Sequence, residues 1–286
     1  MWKDLLRGDS LSWLLEPDIE NPAVRYLTLR DIIGSLPDSP ELLEAKATAM
    51  TTGTIAAVLD SQRPAGYWVK PGAGYGPKYT GTVWSLASLA QMGADKTEPR
   101  VRQAVEYVME KTCAPIGWFS YNGTNSGFLH CHAGYIAQSI IDIGFGQDPR
   151  VMTAIELQAR LITGEGIADM GSEDILRYYH YSSAPDFVCS ANDHLPCAWG
   201  AVKGLKALAA VPEKSRTQTM KSAIKLGKEL FLGTDLMECN FPNRDRGKPS
   251  GNWFKFGFPV LYVGDVLEVL EVMTRLGEGR HPHFEN

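Results

Sequence analysis

The sequence predicts an all-α chain folded as an α/α toroid, inner and outer rings of alternating helices in one domain over residues 1–286. Three observations predict it. The chain repeats one pattern about fifty residues apart, the mark of a unit that cannot bury its apolar face alone. Two kinds of helix alternate, one amphipathic and one apolar nearly all round. No stretch shows sustained β alternation.

The repeat is legible residue by residue. Gly66-Tyr67-Trp68 opens a unit that ends in Met92-Gly93 and passes to Pro99-Arg100-Val101. Gly117-Trp118 opens the next, which ends in Ile143-Gly144 and passes to Asp148-Pro149-Arg150-Val151. Looser copies run from Gly166 through the helix after Cys197 to Ala210, and from Gly251-Asn252-Trp253 to Leu276-Gly277.

In chain order, 22–34 reads as an outer, amphipathic helix. The inner helix near 81–92 carries Val83, Trp84, Leu86, Ala87, Leu89, Ala90 and Met92 and has little polar face. In the outer helix 98–111, Val101, Ala104, Val105, Val108 and Met109 share one face, with Thr97 as cap and Pro99 in the first turn. An inner helix near 132–143, an outer helix 149–162, an inner helix near 197–210 and an outer helix 213–232 follow. A last inner helix near 259–276 holds Val260, Leu261, Tyr262, Val263, Val266 and Leu267. A helix apolar on every side is buried on every side; an open solenoid would give each inner helix a single apolar face. The chain is short of a final helical pair, so the ring is incomplete at the C-terminus. Loops 63–79, 164–196 and 238–257 are long and rich in Gly, Pro and aromatics, which points to lids or binding loops.

Composition excludes several classes. A net charge of −5 without basic runs argues against nucleic acid and anionic membrane. No apolar stretch approaches the roughly 18–20 residues of a membrane span. Asp4, Arg7, Asp9 and Glu16 interrupt the N-terminus, which does not read as a signal peptide. Five irregularly spaced cysteines fit a reducing cytoplasm better than a disulfide framework. No Gly-rich phosphate loop occurs, so no nucleotide cofactor is expected.

Gln62-Arg63-Pro64-Ala65-Gly66-Tyr67-Trp68 carries Q-x-x-x-G-x-W. This resembles the QW repeat of the squalene-hopene cyclase and protein prenyltransferase superfamily, the terpenoid cyclase-like α/α toroids. Gly117-Trp118 and Gly251-Asn252-Trp253 sit at matching places, and Asn21-Pro22-Ala23-Val24-Arg25 resembles the start of an outer helix of that group. The resemblance implies that Gln62 and Trp68 staple one helix to the next and are not catalytic. It does not carry either reaction over. The cyclases' D-x-D-D acid is absent, Asp169-Met170-Gly171-Ser172-Glu173-Asp174 being differently spaced. The prenyltransferase D-x-C is absent too; Asp186-Phe187-Val188-Cys189 is the nearest approach.

Reactive side chains collect before the inner helices. His130-Cys131-His132 precedes one, Cys189 to Cys197 leads into another, and Cys239 lies in the loop before the last. Parallel inner helices would bring these N-termini to one mouth, where unpaired N–H groups and the helix dipole favour thiolate. Two chemistries fit. One is a zinc site of Cys131, Cys189 and Cys197, completed by His132, His194 or Cys239. The other is metal-free acid–base catalysis by His132, Asp193, His194, Cys189 and Cys197, with Tyr79 in support. Packing alone also accounts for buried cysteines, and for Cys113 it is the preferred reading. Asp265 on the last inner helix is read as a buried cap or ion-pair partner. Trp84, Tyr135, Trp199, Phe254 and Phe258, with the stretch Tyr178-Tyr179-His180-Tyr181, would line a cavity for an apolar, isoprenoid-like ligand. If the chain is an enzyme, an isomerase or lyase step follows. The rival is a zinc-binding or non-catalytic toroid that holds a lipid or a protein.

Overall fold

Prolines and side-chain caps set the starts of the long helices in the computed structural model, which describes residues 6–165, 183–245 and 248–284. The helices are α1 (Ser10–Leu15), α2 (Pro22–Leu27), α3 (Pro40–Thr51), α4 (Gly53–Asp60), α5 (Thr82–Gln91), α6 (Pro99–Thr112), α7 (His130–Ile140), α8 (Pro149–Thr163), α9 (Ala198–Ala210), α10 (Gln218–Leu232) and α11 (Val266–Arg275). The described chain is mostly helical. Among the described residues no helix is long and apolar enough to cross a membrane.

The outer starts repeat in atomic detail. Glu98 caps α6 by accepting the Arg100 N–H, and Asp148 caps α8 by accepting the Arg150 N–H. Each arginine then reaches an acid on an earlier helix: Arg100 pairs with Asp60 at 3.0 Å and Arg150 with Glu106 at 2.9 Å. Glu98, not Thr97, is the cap of α6, because its carboxylate reaches the N2 amide. The inner helices end alike: Gly93, Gly144 and Gly277 have φ of +86°, +111° and +88°. A side chain at Gly93 would also meet the Tyr26 ring at 2.6 Å, so the Met-Gly and Ile-Gly endings of the repeat are left-handed helix stops.

The helices α5, α7, α9 and α11 run in the same direction. Gly200 of α9 faces His130 of α7, and Gly134 faces Lys203 and Gly204, so the pairing advances together along both. A Cβ on Gly134 would stand 2.5 Å from the Lys203 backbone, which is why the two helices approach so closely there. Trp84 near the start of α5 stacks on Tyr135 of α7, ring centroids 5.3 Å apart. Lys203 and Lys206 of α9 pair with Glu268 and Glu271 of α11 in the same order. Amphipathic α6, α8 and α10 pack against α5, α7 and α9, and the buried apolar side chains form one connected core from Tyr26 to Met273.

Gln62 and Trp68 are staples in this structure. Gln62 Nε2 donates to the Arg100 carbonyl at 3.0 Å, tying the loop to α6. The buried Trp68 indole donates to the Val58 carbonyl at 2.8 Å, capping the end of α4. The corresponding Trp118 is buried but its indole N–H finds no partner among the described residues.

The structure departs from the sequence reading in five segments. The helix expected near 132–143 begins at His130, so His130-Cys131-His132 form its first turn. The outer segments 22–34 and 213–232 are broken, the first into α2 and a π turn at Thr28–Ile33, the second into a 3-10 turn at Glu213–Ser215 and α10. The helix expected near 259–276 starts only at Val266. The Val260 N–H donates to Gln91 Oε1 (2.8 Å) and its carbonyl accepts from Gln91 Nε2 (2.9 Å), which holds the segment against α5 in non-helical form. Asp265 then caps α11, accepting the Glu268 N–H at 2.9 Å, and α11 is amphipathic, with Leu267 exposed. Finally, the loop before α9 contains a small antiparallel sheet, β1 (Ser183–Ala184), β2 (Val188–Cys189) and β3 (Leu195–Pro196), with Cys189 opposite Leu195.

Candidate functional site

The site is built where α7 and α9 begin. Cys131 lies in the first turn of α7. Cys197 is the N-cap of α9, its sulfur accepting the Gly200 N–H at 3.5 Å. Cys189 ends β2, ahead of the 3-10 turn Ser190–Asn192. Cys189 pairs with Leu195, and the Cys197 N–H bonds the Phe187 carbonyl at 2.9 Å, so Cys189 and Cys197 stand as diagonal neighbours on one face of the β2–β3 hairpin.

That nearness separates the two proton affinities. Cys197, joined by the Ala191 and Asn192 N–H groups and the nearby His194, outweighs burial and lowers Cys189 to about 6. Cys197 is pushed well up, first by Cys189, then by burial and by Cys131. Burial, with Cys189 beside it, pushes Cys131 up to about 12. The surroundings therefore favour negative charge on Cys189 over Cys197 and Cys131.

Beyond Cys131 stands an aromatic layer. His132, fully buried, meets Tyr75 and Tyr135 edge-on at centroid distances of 5.4 and 5.3 Å. Trp84 contacts Tyr75, Tyr135 and Tyr262 at 5.2, 5.3 and 5.9 Å. Both ring nitrogens of His132, the Tyr135 hydroxyl and the Trp199 indole N–H are buried with no hydrogen-bond partner among the described residues. Burial alone lowers His132 to about 3, so it is a neutral imidazole. His130 is lowered to about 4 by burial, partly offset by its 3.2 Å bond to the Ala184 carbonyl. Burial raises the Tyr135 hydroxyl, helped by Cys131 and Tyr75.

A pocket of about 470 Å³ opens on the far side of this layer, lined by Tyr79, Ser88, Asn252, Lys255, Tyr262 and Asp265 among others. Its volume lies in the range of about 300–1,000 Å³ usual for small-molecule sites. The pocket does not reach the sulfurs. Tyr262 belongs to both the pocket wall and the aromatic layer.

The sequence-derived candidates divide accordingly. Cys131, Cys189 and Cys197 come together, with His194 near Cys189 on an exposed turn. Asp193 is exposed at the same turn, and His132 sits in the aromatic layer rather than against the sulfur pair. Cys239 stands apart, its thiol donating to the Leu236 carbonyl at 3.1 Å. Among the described residues no group of three His, Cys, Asp or Glu side chains is spaced to hold a metal ion. Of the expected pocket walls, Trp84 and Tyr135 are buried in the layer and Trp199 is half-buried, whereas Phe254 and Phe258 are 46% and 65% exposed. Asp265 is the α11 cap. Gly166, Asp169 to Asp174, Tyr178 to Tyr181 and Arg246 lie outside the described residues.

Three features escape a reading of local sequence. Tyr75 and Tyr262 join the aromatic layer from loops. Lys78 Nζ lies over the Tyr262 ring at 4.9 Å. Lys203, fully buried, bonds Glu268 at 2.5 Å, and Lys206 bonds both Glu268 and Glu271 at 2.9 Å. The sequence does hold a signal for the lysines: a charge inside an otherwise apolar helix needs a buried partner. No protein family, no curated protein and no solved structure matches the chain.

Proposed function

We propose that this chain is a terpenoid cyclase-like α/α toroid that binds an apolar, isoprenoid-like ligand and rearranges or dehydrates it by acid–base chemistry, as an isomerase or lyase. The observation that carries the reading is the Cys189–Cys197 pair. Two neighbouring groups whose surroundings push their proton affinities apart supply a base and an acid at one pH. Cys189 as thiolate takes a proton from the ligand, and Cys197 as thiol gives one. The parallel run of α5, α7, α9 and α11 supports the toroid, with their starts at one mouth. The aromatic layer and the pocket beside it suit a greasy chain. Five free cysteines support a cytoplasmic setting.

Incubation with linear isoprenoid alcohols and diphosphates, followed by product analysis, tests the reading. Conversion that is lost in Cys189→Ser and Cys197→Ser supports it; binding without conversion leaves a non-catalytic lipid-binding toroid.

Zinc is the second reading, favoured by the convergence of Cys131, Cys189 and Cys197. Those three sulfurs would need a shift to surround an ion, with His132 or His194 as fourth ligand. Metal analysis of protein purified without added metal checks it: about one equivalent is expected for a real site, released by Cys197→Ser.

A further inference from the structure

We propose that Cys189 and Cys197 are also a hydroperoxide-reactive pair that closes reversibly to a disulfide, a modification site that switches off the proton chemistry. The placement carries it. Cys189 pairs with Leu195 and Cys197 sits opposite Phe187, so the two sulfurs project from diagonal positions on one face of the β2–β3 hairpin, attacking and resolving groups side by side. Cys189 is buried and Cys197 half-buried, but the turn that covers them is open to reagents: Ser190, Ala191, Asp193, His194 and Leu195 are exposed. The hairpin is also only lightly built, two strands of two residues each joined through a turn in which Asp193 and His194 both have φ of +57°. The other cysteines lack this combination. Cys239 is buried with its thiol on the Leu236 carbonyl, and Cys113 packs against the Ala114 and Gly117 carbonyls.

The steps balance without a further co-reactant. The Cys189 sulfur attacks the O–O bond of a hydroperoxide; an S–O bond forms, the O–O bond breaks, and the leaving oxygen departs as an alcohol or water after taking a proton. Cys189 is then a sulfenic acid. The Cys197 sulfur displaces its hydroxyl as water and forms the S–S bond. In sum two thiols and one hydroperoxide give one disulfide, one alcohol and one water: the sulfurs are oxidised and the peroxide reduced. A small dithiol reverses the change by exchange.

The test uses the whole chain and hydrogen peroxide at one equivalent, followed by alkylation and peptide mass analysis. The expected product is a Cys189–Cys197 disulfide, formed at least about tenfold faster than oxidation of Cys113, Cys131 or Cys239, and reversed by dithiothreitol. In Cys197→Ser the resolving sulfur is gone, and Cys189 should be trapped as a sulfenic acid by dimedone. Equal, slow oxidation of all five cysteines would overturn the proposal. So would direct passage of Cys189 to sulfinic acid with Cys197 intact, or a disulfide joining Cys131 instead. None of these readouts depends on turnover, so they stand apart from the proposed reaction.

Discussion

Cys189 and Cys197 stand diagonally on one face of the β2–β3 hairpin, and the Cys197 sulfur accepts the Gly200 N–H at 3.5 Å. Their nearness lowers the proton affinity of Cys189 and raises that of Cys197. Alkylation of Cys189 by iodoacetamide should follow its thiolate, with a midpoint near pH 6. Cys197→Ala removes the leading cause of the lowering and should move that midpoint upward. An unchanged midpoint would mean that the backbone N–H groups, not Cys197, set the Cys189 charge.

The two buried histidines set a pH limit on stability. Their folded-state values, about 4 for His130 and about 3 for His132, lie below the ordinary 6.5. Between these values the unfolded chain binds the protons, so the neutral rings favour the fold fully above pH 6.5 and progressively less as pH falls toward 3. Each contributes a slope of up to about 1.4 kcal/mol per pH unit in that window. Urea denaturation at pH 7 and pH 5 should show the loss, and His132→Phe should flatten it. A pH-independent midpoint would contradict the burial of these rings.

Glu268 is 5% exposed and holds both Lys203 and Lys206. Glu268→Ala leaves Lys203 charged and unpaired in the core, and should cost about 3–5 kcal/mol. Adding Lys203→Met should recover much of that loss, because the stranded charge is gone. Chemical denaturation of the single and double variants checks it; strict additivity would show that the pair is not coupled.

Close packing of α7 on α9 makes Gly134 irreplaceable. Gly134→Ala should destabilise by about 1–3 kcal/mol, since the new carbon meets backbone that cannot turn aside. Trp68→Phe keeps the ring but loses the bond to the Val58 carbonyl, and should cost about 1 kcal/mol. Thermal denaturation of both variants reads these effects.

Much of the helical order is legible because it is local. Met92-Gly93 and Ile143-Gly144 mark real left-handed stops, and Pro99 and Pro149 mark real starts. The 259–265 stretch was not, because an apolar run has the same appearance in a helix and in a wall. What decides it is the Gln91 side chain, which is 169 positions from Val260 in the chain. Cys131 and Cys197 stand at helix starts, which the sequence marks, whereas the place of Cys189 comes from the β2–β3 hairpin. The direction of the Cys189 shift depends on a thiol, a turn and two amides arranged by the β2–β3 sheet, which the sequence does not announce. Phe254 and Phe258 are largely exposed, since aromatic character says nothing of which way a loop residue faces.

The most direct measurement is turnover of a linear isoprenoid alcohol in deuterium oxide, with the product read by mass spectrometry. Exchange at the sulfurs makes the acid a deuteron donor. Isomerisation by the wild-type protein should therefore place one deuterium on carbon, whereas dehydration sends it out with the departing water, and in either case Cys189→Ser and Cys197→Ser should each abolish conversion. Undiminished conversion in the variant lacking both sulfurs, or no conversion of any isoprenoid by the wild-type chain, would contradict the account.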